Sequence, residues 1–207
     1  MIRLFSIPVG IMKCNCYIVY ESDTEKAVII DPGDDADEII YAINRAYLKP
    51  EAIILTHAHF DHIGAADKLA EYYGVSCIVD LKDKPLLTDP ELNLSSNYLS
   101  FPVVYNGKVE IVHNQTLDLI GHNFKFINTP GHTPGSMCII LNDMMFTGDT
   151  LFKQSIGQSF IPYGNLELEI KSIKNKLYAF ERDYSCFPGH GEQTTLFYEK
   201  YHNPYLI

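Results

Sequence analysis

Four side chains able to bind a metal ion fall within six residues. They are His57, His59, Asp61 and His62, in the run Thr56-His57-Ala58-His59-Phe60-Asp61-His62. Neutral imidazole and carboxylate are the usual ligands of zinc and related divalent ions. A regular helix or strand cannot turn all four inward at this spacing, so the run reads as a loop between elements. Three more candidates share one format, a polar residue beside glycine just past an apolar run. His132 lies in Thr129-Pro130-Gly131-His132-Thr133-Pro134-Gly135, Asp149 in Phe146-Thr147-Gly148-Asp149-Thr150, and His190 in Phe187-Pro188-Gly189-His190-Gly191. Glycine lets the backbone turn sharply where a side chain must point at an ion. Each of these three alone is a weak signal. In this order after the first run they form a set whose chemistry is metal ligation.

The elements that must position them interleave along the chain. Residues 2–8, 15–20 and 26–31 read as strands closing at the turn Asp31-Pro32-Gly33. Asp34 and Asp35 offer a cap for a helix carrying Ile39, Ile40 and Ile43 to about Tyr47. The strand Ala52–Leu55 delivers the first run, and a helix follows from Ala65 to Tyr73. Val75–Val79 is a further strand, and 81–102 reads as short helices and loop. Strands are predicted near 103–105, 109–113, 116–119, 123–128, 137–141 and 144–147, the last two joined at Asn142-Asp143. A helix over 166–180, a strand over 184–187 and a short helix over 194–201 complete the chain. Each half is a set of strands followed by helices. That order predicts two packed sheets with helices outside, within one domain spanning 1–207.

Composition narrows the partners. With 16 basic and 26 acidic residues the net charge is −10, which opposes general binding to phosphate backbones, so no nucleic-acid partner is expected. No apolar run approaches the roughly 18 residues of a membrane span, and the first eight residues read as a strand and not as a signal peptide, so no membrane partner is expected. The five cysteines are irregularly spaced and mostly within apolar runs. They fit buried free thiols in a reducing cytoplasmic setting. Cys14-x-Cys16 is a weaker candidate for a metal pair, since two such pairs are usually needed.

The ordered set of motifs resembles the metallo-β-lactamase-fold hydrolases. Within them it is similar to the short single-domain branch related to glyoxalase II, the hydroxyacylglutathione hydrolase. The likeness runs from Asn15-Cys16-Tyr17 and Asp31-Pro32-Gly33 to His190, through Gly148-Asp149-Thr150-Leu151-Phe152, Ser155-Ile156-Gly157 and Gly164-Asn165. It implies an α/β fold, a four-layer αββα sandwich of two mixed β-sheets flanked by helices. It also implies two divalent metal ions, zinc first, with iron or manganese as alternatives. His57, His59 and His132 would hold one ion, Asp61, His62 and His190 the other, and Asp149 would bridge them. Asp31 would be a buried carboxylate supporting the metal loop; a turn aspartate is the plainer reading from the sequence.

The activity implied is hydrolysis of a small acyl thioester or ester. Two ions about 3.5–4 Å apart lower the pKa of a shared water. The resulting hydroxide attacks the acyl carbonyl, with Asp61 and Asp149 as the catalytic carboxylates. A mononuclear iron persulfide dioxygenase shares the same motifs, and a lactonase or phosphodiesterase shares the fold. A non-catalytic module on this fold is disfavoured because all seven ligand positions are intact. The chain departs from the branch after Gly157, where Gln158-Ser159-Phe160 replaces Arg-Thr-Asp. Lys153 is the nearby candidate for a substrate contact in place of that arginine, a point charge without a bidentate fork. Tyr163, with Tyr98, Phe101 and Tyr105, would line an apolar pocket or pack in the core.

Overall fold

A computed structural model describes all 207 residues. The first sheet contains β1 (Ile2–Val9), β2 (Cys14–Glu21), β3 (Lys26–Ile30), β4 (Lys49–Ile54), β5 (Ser76–Asp80) and β6 (Val109–Val112), in that spatial order. The pairs β1–β2 and β2–β3 are antiparallel; β3–β4, β4–β5 and β5–β6 are parallel. Parallel neighbours need crossover connections. Helix α1 (Ala36–Arg45) supplies the one between β3 and β4. The turn α2 (Phe60–Ile63) and helix α3 (Ala66–Tyr73) supply the one between β4 and β5, and the short helix α4 (Ser95–Tyr98) lies between β5 and β6.

The second half repeats the plan. Strands β7 (Thr116–Leu119), β8 (His122–Asn128), β9 (Met137–Leu141) and β10 (Met144–Gly148) form an antiparallel meander, followed by a small hairpin of β11 (Leu151–Phe152) and β12 (Ser155–Ile156). Helix α5 (Leu166–Ser172) then crosses over to β13 (Ser185–Pro188), which pairs in parallel with β10, and β14 (Thr194–Thr195) adds the edge. Helix α6 (Leu196–His202) follows.

The burial pattern shows four layers. Alternate residues of β4 and β9 enter different cores, as a period of two requires. Ile53 joins Ile39, Ile43 and Leu69 under helices α1 and α3, whereas Ile54 joins Phe124, Phe126 and Phe146 between the sheets. Ile139 faces that central layer, while Cys138 and Ile140 face Ile173, Leu177 and Leu196 on the outer side. Strands buried on both faces read as continuous apolar runs, and this made Ala52–Leu55 and 137–141 visible in the sequence.

Three local expectations are corrected. Asp35 sits at the start of α1 but makes no side-chain cap; its Oδ2 accepts the Gly10 N–H at 2.8 Å and ties down the β1–β2 turn. Residues 103–105 form no strand: the buried Tyr105 spends its hydroxyl on Cys77 N–H and Lys108 O instead. The helix predicted over 166–180 changes at Ser172 into a π-helical turn, Ile173–Leu177. Both Ile173 and Leu177 remain buried, and the Ser172 hydroxyl donates to Pro130 O at 2.7 Å. At the start of α5, Asn165 accepts the Leu168 N–H at 2.9 Å, a side-chain cap.

Candidate metal centre

All seven candidate ligands lie at strand ends on one rim of the sandwich. His57 and His59 follow β4, and His59 starts the single helical turn α2 that carries Asp61 and His62. His132 follows β8, Asp149 follows β10 and His190 follows β13. The structure brings together residues up to 133 positions apart in the chain, from both sheets. The loop bearing His190 is welded to β2: Asn15 N–H donates to Gly189 O at 2.7 Å, and the Tyr17 hydroxyl donates to Pro188 O at 2.7 Å.

The ligand atoms fall into overlapping groups. The donor nitrogens of His57, His59 and His132 lie within 4.8 Å of one another, as do the donor atoms of His57, His62 and Asp149. His59 Nδ1 is 2.9 Å from His132 Nε2, and His62 Nε2 is 3.3 Å from both His190 Nε2 and Asp149 Oδ1. Asp61 Oδ2 is 3.3 Å from His190 Nε2. Around a tetrahedral ion with nitrogen bonds of about 2.0–2.1 Å, neighbouring ligand nitrogens stand ~3.3 Å apart, so these separations suit a shared cation. Two buried atoms point the same way. His57 Nε2 and Asp149 Oδ1 have no hydrogen-bond partner in the protein. An orphaned buried acceptor costs on the order of 1–3 kcal/mol, and a divalent cation satisfies both lone pairs. The donor set and these two atoms fit metal ligation.

Outer partners fix which ring nitrogen faces inward. His132 Nδ1 donates to Gln158 O at 3.0 Å and His190 Nδ1 to Met12 O at 3.1 Å, since a carbonyl can only accept. His62 Nδ1 stands 3.0 Å from Asp31 Oδ2. Each arrangement leaves Nε2 for the centre. Burial pushes His57, His59 and His132 below the ordinary imidazole range, His59 to about 3, and the neighbouring imidazoles add to it. These three rings are therefore held neutral, the form that binds metal. Burial raises the carboxyls of Asp61 and Asp149, but His62 first, and His190 with it, outweigh burial and hold both below the usual carboxylate range.

Sequence reasoning missed Asp83. This fully buried carboxylate accepts Ala58 N–H at 3.1 Å, the Thr133 hydroxyl at 2.7 Å and Gly135 N–H at 2.7 Å. It clamps the His57–His59 loop to the His132 loop. Burial outweighs its donors and lifts its pKa to about 6. One signal was available: Asp83 lies just past the apolar strand β5, the position that the other candidates occupy. In the sequence Cys14 stands out only as half of a weak cysteine pair. Its Sγ lies 3.6 Å from His62 Nδ1, beneath the centre.

Five of the seven candidates, His59, Asp61, His132, Asp149 and His190, open onto a cavity of ≈ 380 Å³. Lys153 and Tyr163 are not brought into its lining. Lys153 pairs with Glu192, and Tyr163 is 63% exposed. Among the aromatic candidates, Tyr98 lines the cavity, Tyr105 packs in the core and Phe101 is exposed. No helix is long and apolar enough to cross a membrane.

Residues 9–190 match the family model described as the metallo-beta-lactamase superfamily. The hydroxyacylglutathione hydrolase GloC of Haemophilus influenzae is 35% identical over 210 residues, covering 97% of this chain and 96% of its own. Among solved structures, the BLEG-1 B3 metallo-beta-lactamase superposes with a TM-score of 0.93 at 38% identity, covering 99% of both chains. TTHA1623, solved in a di-iron-bound form, superposes with a TM-score of 0.86 at 31% identity, covering 98% of this chain and 100% of its own.

Proposed function

The chain belongs to the metallo-beta-lactamase superfamily, and from that premise we propose that it is a glyoxalase II-like thioester hydrolase using two divalent ions, zinc first among them. His57, His59 and His132 would hold one ion, Asp61, His62 and His190 the other, and Asp149 would serve both. The observation that carries this reading is the convergence of seven ligands around two orphaned buried atoms, His57 Nε2 and Asp149 Oδ1. The di-iron form of TTHA1623 supports a dinuclear site and keeps iron as the alternative metal. The GloC relative supports a thioester as substrate. Five free, buried cysteines support a reducing, cytoplasmic setting.

When bound, such an ion pair lowers the pKa of a shared water and polarises an acyl carbonyl. The chain's own residues do the rest. Asp61 faces the cavity with its carboxylate kept ionised, so it is placed to orient the attacking water and take its proton. Its Oδ2 lies 3.3 Å from His190 Nε2, a separation at which one shared ion would hold both in position. Aromatic and aliphatic side chains form half of the cavity's lining. A thiolate leaves without strong acid assistance, which suits a cavity whose only carboxylates are Asp61 and Asp149.

The test is metal analysis of the purified protein, paired with a panel of thioesters, lactones, phosphodiesters and a β-lactam, the last chosen because of BLEG-1. The expected result is two ions per chain and turnover of thioesters above the other classes. A fully loaded protein that cleaves only lactams or phosphodiesters overturns the thioesterase reading. A single bound iron, with oxygen uptake on glutathione persulfide, overturns the hydrolase.

A further inference from the structure

We infer that the cavity selects an uncharged, apolar acyl group, aromatic or medium-chain, over carboxylated or small polar ones. This rests on the thioesterase reading above and deepens it. Of the residues lining the cavity, none is lysine or arginine, and the only formal charges are the carboxylates of Asp61 and Asp149. Two basic residues adjoin this lining in sequence, Lys13 beside Met12 and Lys153 beside Phe152; neither lines the cavity, and Lys153 is committed to Glu192. The acyl carbonyl would occupy the metal centre itself, so a carboxylate at the far end of the acyl group would lie against the walls, where it would lose water and gain no side-chain cation. The net charge of −10 adds a general repulsion.

The walls point to what is favoured instead. Phe60, Leu94 and Tyr98 come from the first half of the chain, Phe152 and Ile161 from the second, and Met12 from the β1–β2 turn. Phe60 and Tyr98 stack with ring centroids 5.5 Å apart and planes inclined at 20°. Phe60 is buried and fixes the pair; Tyr98 is 59% exposed and offers the remaining ring surface to a ligand. Leu94 adds a second sign of purpose. Its φ is 70°, a left-handed conformation that a bulky side chain rarely adopts, and its buried side chain lines the cavity. An exposed aromatic stacked on a fixed ring, beside a strained leucine, makes a flat apolar platform next to the reacting centre. Phenyl and alkyl groups fit such a platform.

The experiment uses metal-loaded protein and thioesters of one neutral thiol, N-acetylcysteamine, carrying phenylacetyl, lactoyl or succinyl groups. The phenylacetyl ester is expected to show kcat/KM at least tenfold above both others, chiefly through KM. Tyr98→Ala narrows that preference several-fold, and Gln158→Arg raises succinyl turnover. In parallel, calorimetry measures binding of two inert thioethers of the same thiol, S-phenethyl and S-(3-carboxypropyl), with the phenethyl compound expected to bind at least tenfold more tightly. Succinyl or lactoyl turnover equal to phenylacetyl overturns the inference and leaves the thioesterase standing. Equal affinity for the two thioethers, or none for either, also overturns it. Tight phenethyl binding with no thioester cleaved keeps the cavity assignment and removes the thioesterase.

Discussion

The Oδ2 atom of Asp31 lies 3.0 Å from Nδ1 of His62, with both side chains buried. The same carboxylate accepts the Thr56 N–H at 2.7 Å through Oδ1 and the Thr56 hydroxyl at 2.6 Å through Oδ2. One group thus anchors the entrance of the loop that carries His57, His59, Asp61 and His62 and the ring orientation of His62 within it. Asp31→Asn tests this cleanly, because asparagine tolerates the left-handed φ of 51° at this position. An amide nitrogen facing His62 cannot accept its proton, so the ring loses its enforced tautomer. Metal affinity is expected to fall about 10–100-fold, read by competition with a chromophoric chelator.

Loss of a proposed ligand is expected to remove metal and not the fold. Asp149→Asn and His132→Ala should each abolish hydrolysis, with metal content reduced and far-UV circular dichroism unchanged. A variant that keeps both full activity and its full metal complement takes that residue out of the site.

Asp83 is predicted to matter for stability and metal together. Asp83→Ala leaves the buried N–H groups of Ala58 and Gly135 without their acceptor, while the Thr133 hydroxyl keeps Ser136 Oγ at 2.8 Å. Each orphaned donor costs ~1–3 kcal/mol, so urea denaturation should show a loss of at least about 2 kcal/mol. The two loops it joins should also separate, lowering metal affinity. Asp83→Asn keeps some of the acceptors and should fall between.

Gly189 sets the closest approach of two strand ends. A Cβ there would stand 2.3 Å from Asp149 Oδ1 and 2.7 Å from His62 Cε1. Gly189→Ala must therefore displace the Asp149 and His62 side chains, both proposed ligands. Metal affinity should drop more than tenfold, with little change in the circular dichroism of the folded protein.

Glu169 gives stability a pH dependence. Its carboxyl is completely buried in α5, and burial raises its pKa to about 8 despite the Ser159 hydroxyl that donates to it. Between the ordinary value of 4.5 and about 8 the folded chain holds a proton that the unfolded chain releases. Stability from this group is complete below that window and is lost as pH rises through it, by on the order of a few kcal/mol. Glu169→Gln should flatten the slope of the urea midpoint between pH 5 and 9 and leave the variant the more stable protein at pH 9.

The layered fold and the ligand cluster were legible for one reason. Strands buried on both faces, such as Ala52–Leu55, end abruptly where polar, glycine-flanked residues begin, and the rim of the sandwich lies at those ends. Asp83 escaped because its three partners lie on two other loops, and a single sequence carries no record of such pairings. The outer acceptors for His132 and His190 are backbone carbonyls of Gln158 and Met12, which any residue type supplies. Tyr105 reads as a strand residue because an aromatic among valines has strand propensity, yet its hydroxyl contacts keep the segment a buried loop. The shift into a π-turn after Ser172 left no mark in the sequence, because the spacing of Ile173 and Leu177 is that of an ordinary helix.

The join between β2 and the loop after β13 carries a consequence for biosynthesis. Asn15 and Tyr17 emerge from the ribosome early, whereas their partners Pro188 and Gly189 come more than 170 residues later. A growing polypeptide can fold much of its first half and still lack the imidazole that closes the cage. In the proposed assignment the second ion, which needs His190, would therefore be loaded only late in maturation, after the one that His57, His59 and His132 would hold.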